Sequence, residues 1–382
     1  MIQETGAAGT AGGSPEIEEL RRYTDECYDL GVLAGSPSFP LPDEPFVSCW
    51  ESWARQAGAG LGAFEVLREN LPQLAFPIRE GISQSDEYRE ATRRGVDPAG
   101  LRSATGTRLE RPEALELSIH RSPAGRIPVL VSPVRNDFVA LVRALARRNE
   151  PAPIPDAQGA VMVTGFNNWA RIEALRSTWE RLEPAAREAA TWNEELARIA
   201  GRPELYRDRF IVLYAGPYSG VPAADLDLGE ERWLELSLAI RRGHECSHYL
   251  TKRLFGAMRN HALDELIADY SGMVAAIGRF RADWFLRFMG IDQAGRIRAD
   301  GRLHVYRGEP PLSDRAFGAL WALLRTAAEN LEQADSSWLG ADRSLGARGR
   351  ALTALAGLTL DQIADPGFEG LLGEALGRVR GA

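Results

Sequence analysis

Residues 244–270 read HECSHYLTKRLFGAMRNHALDELIADY, and the rest of the chain is organised around this stretch. His244 and His248 stand four positions apart. On a helix that spacing amounts to about 40° around the axis and about 6 Å along it. Both imidazoles therefore leave one face and can reach a single metal ion, while Glu245, next to His244, can address a water at the ion's open position. No proline occurs between Pro222 and Pro310. The interval predicts two helices, from about Gly229 to Phe255 and from about Ala262 to Met289. Gly256 and Asn260 supply the stop and turn between them.

The second predicted helix carries Leu263, Leu266, Ile267, Tyr270, Val274 and Ile277 at helical spacing, a stripe that faces the core. Glu265 lies 17 positions beyond His248, and Asp269 follows it by one turn. Burying the stripe carries both carboxylates towards the first helix. A catalytic zinc takes three protein ligands and keeps one exchangeable position, so Glu265 is expected to complete the set with His244 and His248. Asp269 is expected to accept the other N–H of a liganding histidine, which fixes its tautomer. The bland alternative is a pair of half-buried core histidines beside a solvated acidic face.

An HExxH motif followed on the next helix by Glu265-Leu-Ile-Ala-Asp269 resembles the gluzincin metallopeptidases, over about His244–Tyr270 only. The resemblance implies a Zn²⁺ ion held by His244, His248 and Glu265, with Glu245 as base and Asp269 behind a histidine. The gap of 17 is slightly shorter than in thermolysin-like members, which leaves Asp264 and His261 as lesser candidates for the third ligand. Such sites often take an oxyanion donor from beyond the glutamate helix. That points to His304 or Tyr306 as further catalytic residues, ahead of Arg302 and Tyr270.

Two other function classes use the same ligands. Two histidines and a carboxylate also form the facial triad of non-haem Fe²⁺ oxygenases, though that chemistry has no evident need for Glu245. A non-catalytic, metal-stabilised peptide-binding module is the third reading, and a free carboxylate at position 245 argues against it. The expected activity is hydrolysis of a peptide or other amide: the ion would bring the pKa of a water to about 7, and Glu245 would move its proton to the leaving nitrogen.

The 382 residues are 45% apolar and 26% charged, enough to bury a sizeable core. Charged residues number 53 acids against 45 bases, for a net charge of −8, which argues against a general nucleic-acid binder. No apolar run is long enough to span a bilayer. No signal-peptide pattern opens the sequence, and three scattered cysteines make no disulfide framework. A cytoplasmic chain acting on a peptide or small amide, away from membranes, is the expectation.

Along the chain, residues 1–15 are Gly/Ala/Ser-rich and expected to be disordered. A helical region follows over 16–110, with Trp50, Trp53, Phe64, Leu67 and Leu71 as core. Residues 111–228 are expected to bear strands at Ile127–Ser132, Val161–Gly165 and Phe210–Ala215, with helices at Phe138–Arg148 and Trp169–Glu183. Residues 229–290 hold the metal-binding helix pair. Residues 291–382 are expected to form a hairpin over Arg296–Arg307, turning at Asp300–Gly301, and then helices, with a capping box at Thr359 and Gln362. The predicted class is α+β, mainly helical, with a small mixed sheet. Gly165-Phe-Asn-Asn-Trp169 and Gly216-Pro-Tyr-Ser-Gly220 follow predicted strands and read as turns. Arg241 and Arg242 read as surface residues, and Cys246 as a buried thiol pointing away from the ion.

Overall fold

The β-branched and aromatic runs form the centre of one mixed sheet. In the computed structural model, which describes residues 15–33, 35–189, 191–292 and 295–381, the strands are β1 (Glu116–Ser122), β2 (Gly125–Ser132), β3 (Ala160–Asn167) and β4 (Arg207–Tyr214). Residues 1–14, most of the stretch expected to be disordered, lie outside the described residues. The sheet order is β1-β2-β4-β3, with β2 and β4 parallel and both outer pairs antiparallel.

The central strands are apolar on both faces because both faces are covered. Ile127, Val129, Val131, Ile211 and Leu213 join one core cluster, whereas Leu130, Phe210 and Val212 join another. The second cluster is filled by Trp50, Trp53, Phe64, Leu67 and Leu71, all buried, together with Phe138, Leu141 and Val142. Strand β1 was not predicted. It is an outer strand in which only Leu117 and Ile119 alternate with polar residues, too short a pattern to stand out.

The helices, in chain order, are α1 (Pro15–Thr24), α2 (Val47–Gln56), α3 (Ala63–Asn70), α4 (Asp86–Arg94), α5 (Arg135–Ala146), α6 (Trp169–Arg181), α7 (Trp192–Ala200), α8 (Glu230–Phe255), α9 (Ala262–Ile277), α10 (Ala282–Met289), α11 (Asp314–Ser337), α12 (Leu345–Ala356), α13 (Leu360–Ala364) and α14 (Phe368–Gly381). The class is thus α+β and mainly helical, as predicted. Among the described residues, no helix is long and apolar enough to cross a membrane.

Helix α8 matches its prediction closely. Glu230 and Glu231 lie in its first turn and Lys252 and Arg253 in its last, complementing the helix dipole. Gly256 closes it at φ +71°, a conformation glycine adopts without cost. The second predicted helix is in fact two. Helix α9 stops at Gly278, φ +72°, and α10 begins after Arg281. Phe280 is buried in the gap, and its N–H donates to Asp335 Oδ2 at 2.9 Å instead of a helical carbonyl.

The expected hairpin at Arg296–Arg307 does not form. One bridge joins Ile291 to Ile297, the chain turns at Arg298–Gly301, and Arg302–Tyr306 winds into a 3₁₀ turn. Leu303 and Tyr306, three apart, are buried while His304 and Val305 are exposed, which is a helical period and not a strand's. The capping box at Thr359 and Gln362 is present as predicted.

Candidate metal centre

Helices α8 and α9 pack so closely that their backbones touch. A Cβ on Gly272 would lie 2.4 Å from the Ile240 carbonyl oxygen, and one on Gly243 would lie 2.9 Å from Gly272 Cα. Ser271 Oγ donates to the Gly243 carbonyl at 3.1 Å across the same contact. A mid-helix glycine costs about 0.5–1 kcal/mol relative to alanine, so two facing glycines mark a crossing set by close approach. His244 follows Gly243 directly, and Glu265 and Asp269 lie on the α9 turns leading up to Gly272.

The crossing gathers His244, His248 and Glu265, all buried. His244 Nε2 is 3.1 Å from His248 Nε2 and 3.6 Å from Glu265 Oε2, and His248 Nε2 is 3.5 Å from Glu265 Oε1. Ligand atoms about 2.1 Å from a tetrahedral ion lie roughly 3.3–3.5 Å apart, so the spacing fits one small divalent cation. Among the described residues no fourth His, Cys, Asp or Glu joins the group.

Charge points the same way. The buried carboxylates of Glu265 and Asp269 share one guanidinium, that of Arg302, at 3.5 and 2.5 Å, which beside neutral imidazoles leaves a net negative charge for a cation to balance. Burial opposes the ionised form of Glu265, but His244, His248 and Arg302 together hold its carboxyl well below the ordinary range. Burial likewise opposes charge on His248. Its hydrogen bond to Glu265 and the field of Glu265 and Glu245 prevail, lifting the metal-free imidazole to about 9.

Asp269, fully buried, stands behind His244. Its Oδ1 is 2.8 Å from His244 Nδ1 and accepts the Tyr218 hydroxyl at 2.5 Å, and its Oδ2 accepts Arg302 Nη2 at 2.5 Å. These contacts put the His244 proton on Nδ1 and turn the Nε2 lone pair towards His248 and Glu265. Burial would raise the Asp269 carboxyl, yet the guanidinium of Arg302 and the hydrogen bond from His244 keep it below its usual value. Arg302 also donates to Tyr218 Oη at 3.1 Å and Ser219 Oγ at 3.0 Å, and approaches Glu265 Oε2 at 3.5 Å.

The expected oxyanion donors divide. Tyr306 is buried; burial and the negative charge of nearby Glu265 push its pKa up. His304 is a correction: it is exposed, faces the Arg298 carbonyl at 3.1 Å and lies against Phe317. One residue in a 3₁₀ turn cannot face the site when its neighbour two positions on does so. Tyr270 is turned towards Asp335, 3.1 Å away.

The lesser ligand candidates are occupied elsewhere. His261 caps α9: its Nδ1 accepts the Leu263 N–H at 3.2 Å, its Nε2 donates to the Tyr23 carbonyl at 3.0 Å, and its ring stacks on Tyr23. Tyr23 spans two parts of the site. Its hydroxyl donates to the Tyr306 carbonyl at 2.8 Å and accepts the Ala262 N–H at 3.0 Å. Asp264 accepts the Tyr28 hydroxyl at 2.7 Å, and burial raises its carboxyl to about 6. Cys246 is buried away from the group, its thiol pushed up to about 12 by burial.

Two residues came out differently from their sequence reading. Tyr218, on the stretch read as a turn, is buried and touches His244, Asp269 and Arg302. Arg241, read as a surface residue, is buried and donates to the carbonyls of Tyr214, Gly216 and Pro217 at 2.6–2.9 Å, pinning the loop that delivers Tyr218.

Glu245 is half-buried and lies on the wall of a cleft of about 780 Å³ that runs along β3. Arg241, one turn earlier on α8, packs against Gly159 at the head of β3. The Tyr214 N–H donates to the Gly159 carbonyl at 2.9 Å, so Gly159 belongs to the inward-bonding set of β3. By alternation, Ala160, Met162 and Thr164 direct their backbone N–H and C=O groups outward, along the outer edge of the sheet.

The chain matches DUF7005, a family of unknown function, over residues 8–367. No curated protein and no solved structure matches it.

Proposed function

The chain belongs to the DUF7005 family, whose description assigns no chemistry, and from the site itself we propose a metal-dependent hydrolase that cleaves a peptide or other amide bond. One observation carries the reading: three buried ligands spaced for one small cation, with a carboxylate beside them that is not a ligand and that reaches the wall of a cleft. The HExxH motif and the following Glu265–Asp269 pair, which resemble those of gluzincins, support zinc as the ion.

When bound, the ion would polarise a carbonyl and acidify water. The protein's own part is positional and electrostatic. Asp269 holds His244 in the tautomer that presents Nε2. Arg302 and Tyr218 hold Asp269. Glu245 accepts a proton from the attacking water and passes it to the departing nitrogen. Tyr306, buried close enough to Glu265 to feel its charge, is the hydroxyl donor for charge that develops on the carbonyl oxygen. The outward-facing backbone of Met162 and Thr164, with the Ala160 N–H, offers an extended substrate a strand to pair with, the Ala160 carbonyl already accepting Gln158 Nε2 at 3.3 Å.

Metal analysis of purified protein, with turnover of a peptide library by wild type and Glu245→Gln, tests the proposal. The expected result is about one zinc per chain in both and loss of turnover in the variant. Iron as the native metal with oxygen-dependent turnover would replace it with an oxygenase. Zinc with no turnover in either protein would leave a binding module.

A further inference from the structure

We propose that the cleft along β3 selects acidic peptide segments; the inference rests on the peptide-hydrolase reading and specifies its substrate. Arg93, Arg147, Arg148 and Arg207 line the cleft, and Glu245 is the only carboxylate among its lining residues. All four arginines are exposed, and among the described residues none of them forms an ion pair. They come from three places in the sequence: the end of α4, the turn after α5, and the start of β4.

Their placement is held by structure on both sides. Arg148 and Asn149 have φ of +55° and +61°, a left-handed pair uncommon for residues other than glycine. Asn149 is buried there and donates from Nδ2 to the carbonyls of Gln73 and Phe76, both at 3.0 Å. This fixes the turn that displays Arg147 and Arg148. Arg207 lies opposite Asn167 in the ladder, at the far end of β3 from Gly159.

The charge runs against the rest of the molecule. The chain carries −8 overall, so an acidic peptide is repelled by the surface at large and drawn to this cleft. The outward backbone groups of β3 favour an extended polypeptide over other polyanions, because they repeat at the spacing of a strand. A segment paired along β3 would place its residues near Ala160 beside Glu245. Acidic side chains some four to seven positions away, roughly 13–23 Å, would meet the arginines.

The test measures docking without cleavage. Fluorescein-labelled twelve-residue peptides of alternating Glu-Val, Gln-Val and Lys-Val are titrated with zinc-loaded Glu245→Gln protein, and binding is read by anisotropy. The Glu-Val peptide is expected to bind at least tenfold more tightly than the Gln-Val peptide at low salt, with the difference shrinking as salt rises. Each arginine should account for roughly two- to fivefold. Arg147→Glu with Arg148→Glu, and separately Arg93→Glu with Arg207→Glu, should erase the preference while melting temperature and zinc content stay unchanged.

Equal binding of the acidic and neutral peptides, or a preference that survives both pairs of reversals, would overturn the proposal. So would an oligo-dT that binds more tightly than the Glu-Val peptide and loses affinity with the same reversals, since the cleft would then be a nucleic-acid site. Failure of the hydrolase reading registers separately: wild-type protein that docks the acidic peptide through these arginines but cuts no peptide leaves acidic docking supported and removes catalysis.

Discussion

Arg302 Nη2 meets Asp269 Oδ2 at 2.5 Å, and through that carboxylate the 3₁₀ turn beyond α10 reaches the imidazole of His244. The relationship makes a loop arginine, 33 residues along the chain from Asp269, part of the support for the candidate metal site.

Replacing Arg302 by methionine would leave Asp269 buried with its charge unmatched. Breaking a buried pair in this way costs about 3–5 kcal/mol, and loss of support behind a liganding histidine weakens metal binding about 10–100-fold. Asp269→Asn should weaken the metal by a similar factor with a smaller loss of stability. Denaturant melts and chelator competition on both variants check this. Wild-type zinc affinity in both would show that His244 needs no support.

Tyr218→Phe removes only a hydroxyl, but one that donates to Asp269 and accepts from Arg302. Leaving such partners unmatched costs about 1–3 kcal/mol. The variant should also show a measurable drop in metal affinity. His304→Ala, altering a residue turned towards Arg298, should leave metal affinity at the wild-type value, whereas Tyr306→Phe should reduce turnover with zinc retained.

Acidity should govern metal loading. In the metal-free protein His248 is raised to about 9 from an ordinary value near 6.5. Its proton therefore stabilises the metal-free form fully below about pH 6.5, and that contribution disappears as pH rises through 9. A cation must expel the same proton, so affinity should rise up to tenfold per pH unit across this window. Glu265 and Asp269, both depressed, act in the opposite sense: their contribution is present above about pH 4.5 and is lost as the solution becomes more acidic. Chelator competition between pH 6.5 and 9 checks the first claim, and a flat profile would contradict it.

The glycine contact sets the distance between ligands. Gly272→Ala would drive a methyl group into the Ile240 carbonyl, at a cost of about 1–3 kcal/mol from overpacking. The two helices should move apart and zinc affinity should fall with stability. A substitution at Gly58, where an added Cβ meets nothing, is the control.

Much of this arrangement was legible in the chain because local patterns carry it. The His244–His248 spacing, the apolar stripe of α9 and the position of Asp269 one turn beyond Glu265 each follow from helical periodicity. The runs of β2 and β4 were readable because strands covered on both faces are continuously apolar. Tyr218 and Arg302 left no such signature. They act on His244 from 26 and 58 positions away, and only tertiary packing makes them neighbours. The Phe280 break was hidden because its cause, Asp335, lies 55 residues further on. His304 was misplaced by reading a strand's alternation into a segment whose buried residues are three apart.

Tyr23, near the end of the first helix, fastens the start of α9 and the Tyr306 turn at once. The ligand Glu265 and its neighbouring hydroxyl are thus tethered by a residue that touches no substrate. A protease cut between Thr24 and Leu33 would leave every candidate ligand intact and still loosen the grip on a bound cation, so limited digestion of metal-loaded protein should release the metal before helices α8 and α9 unravel.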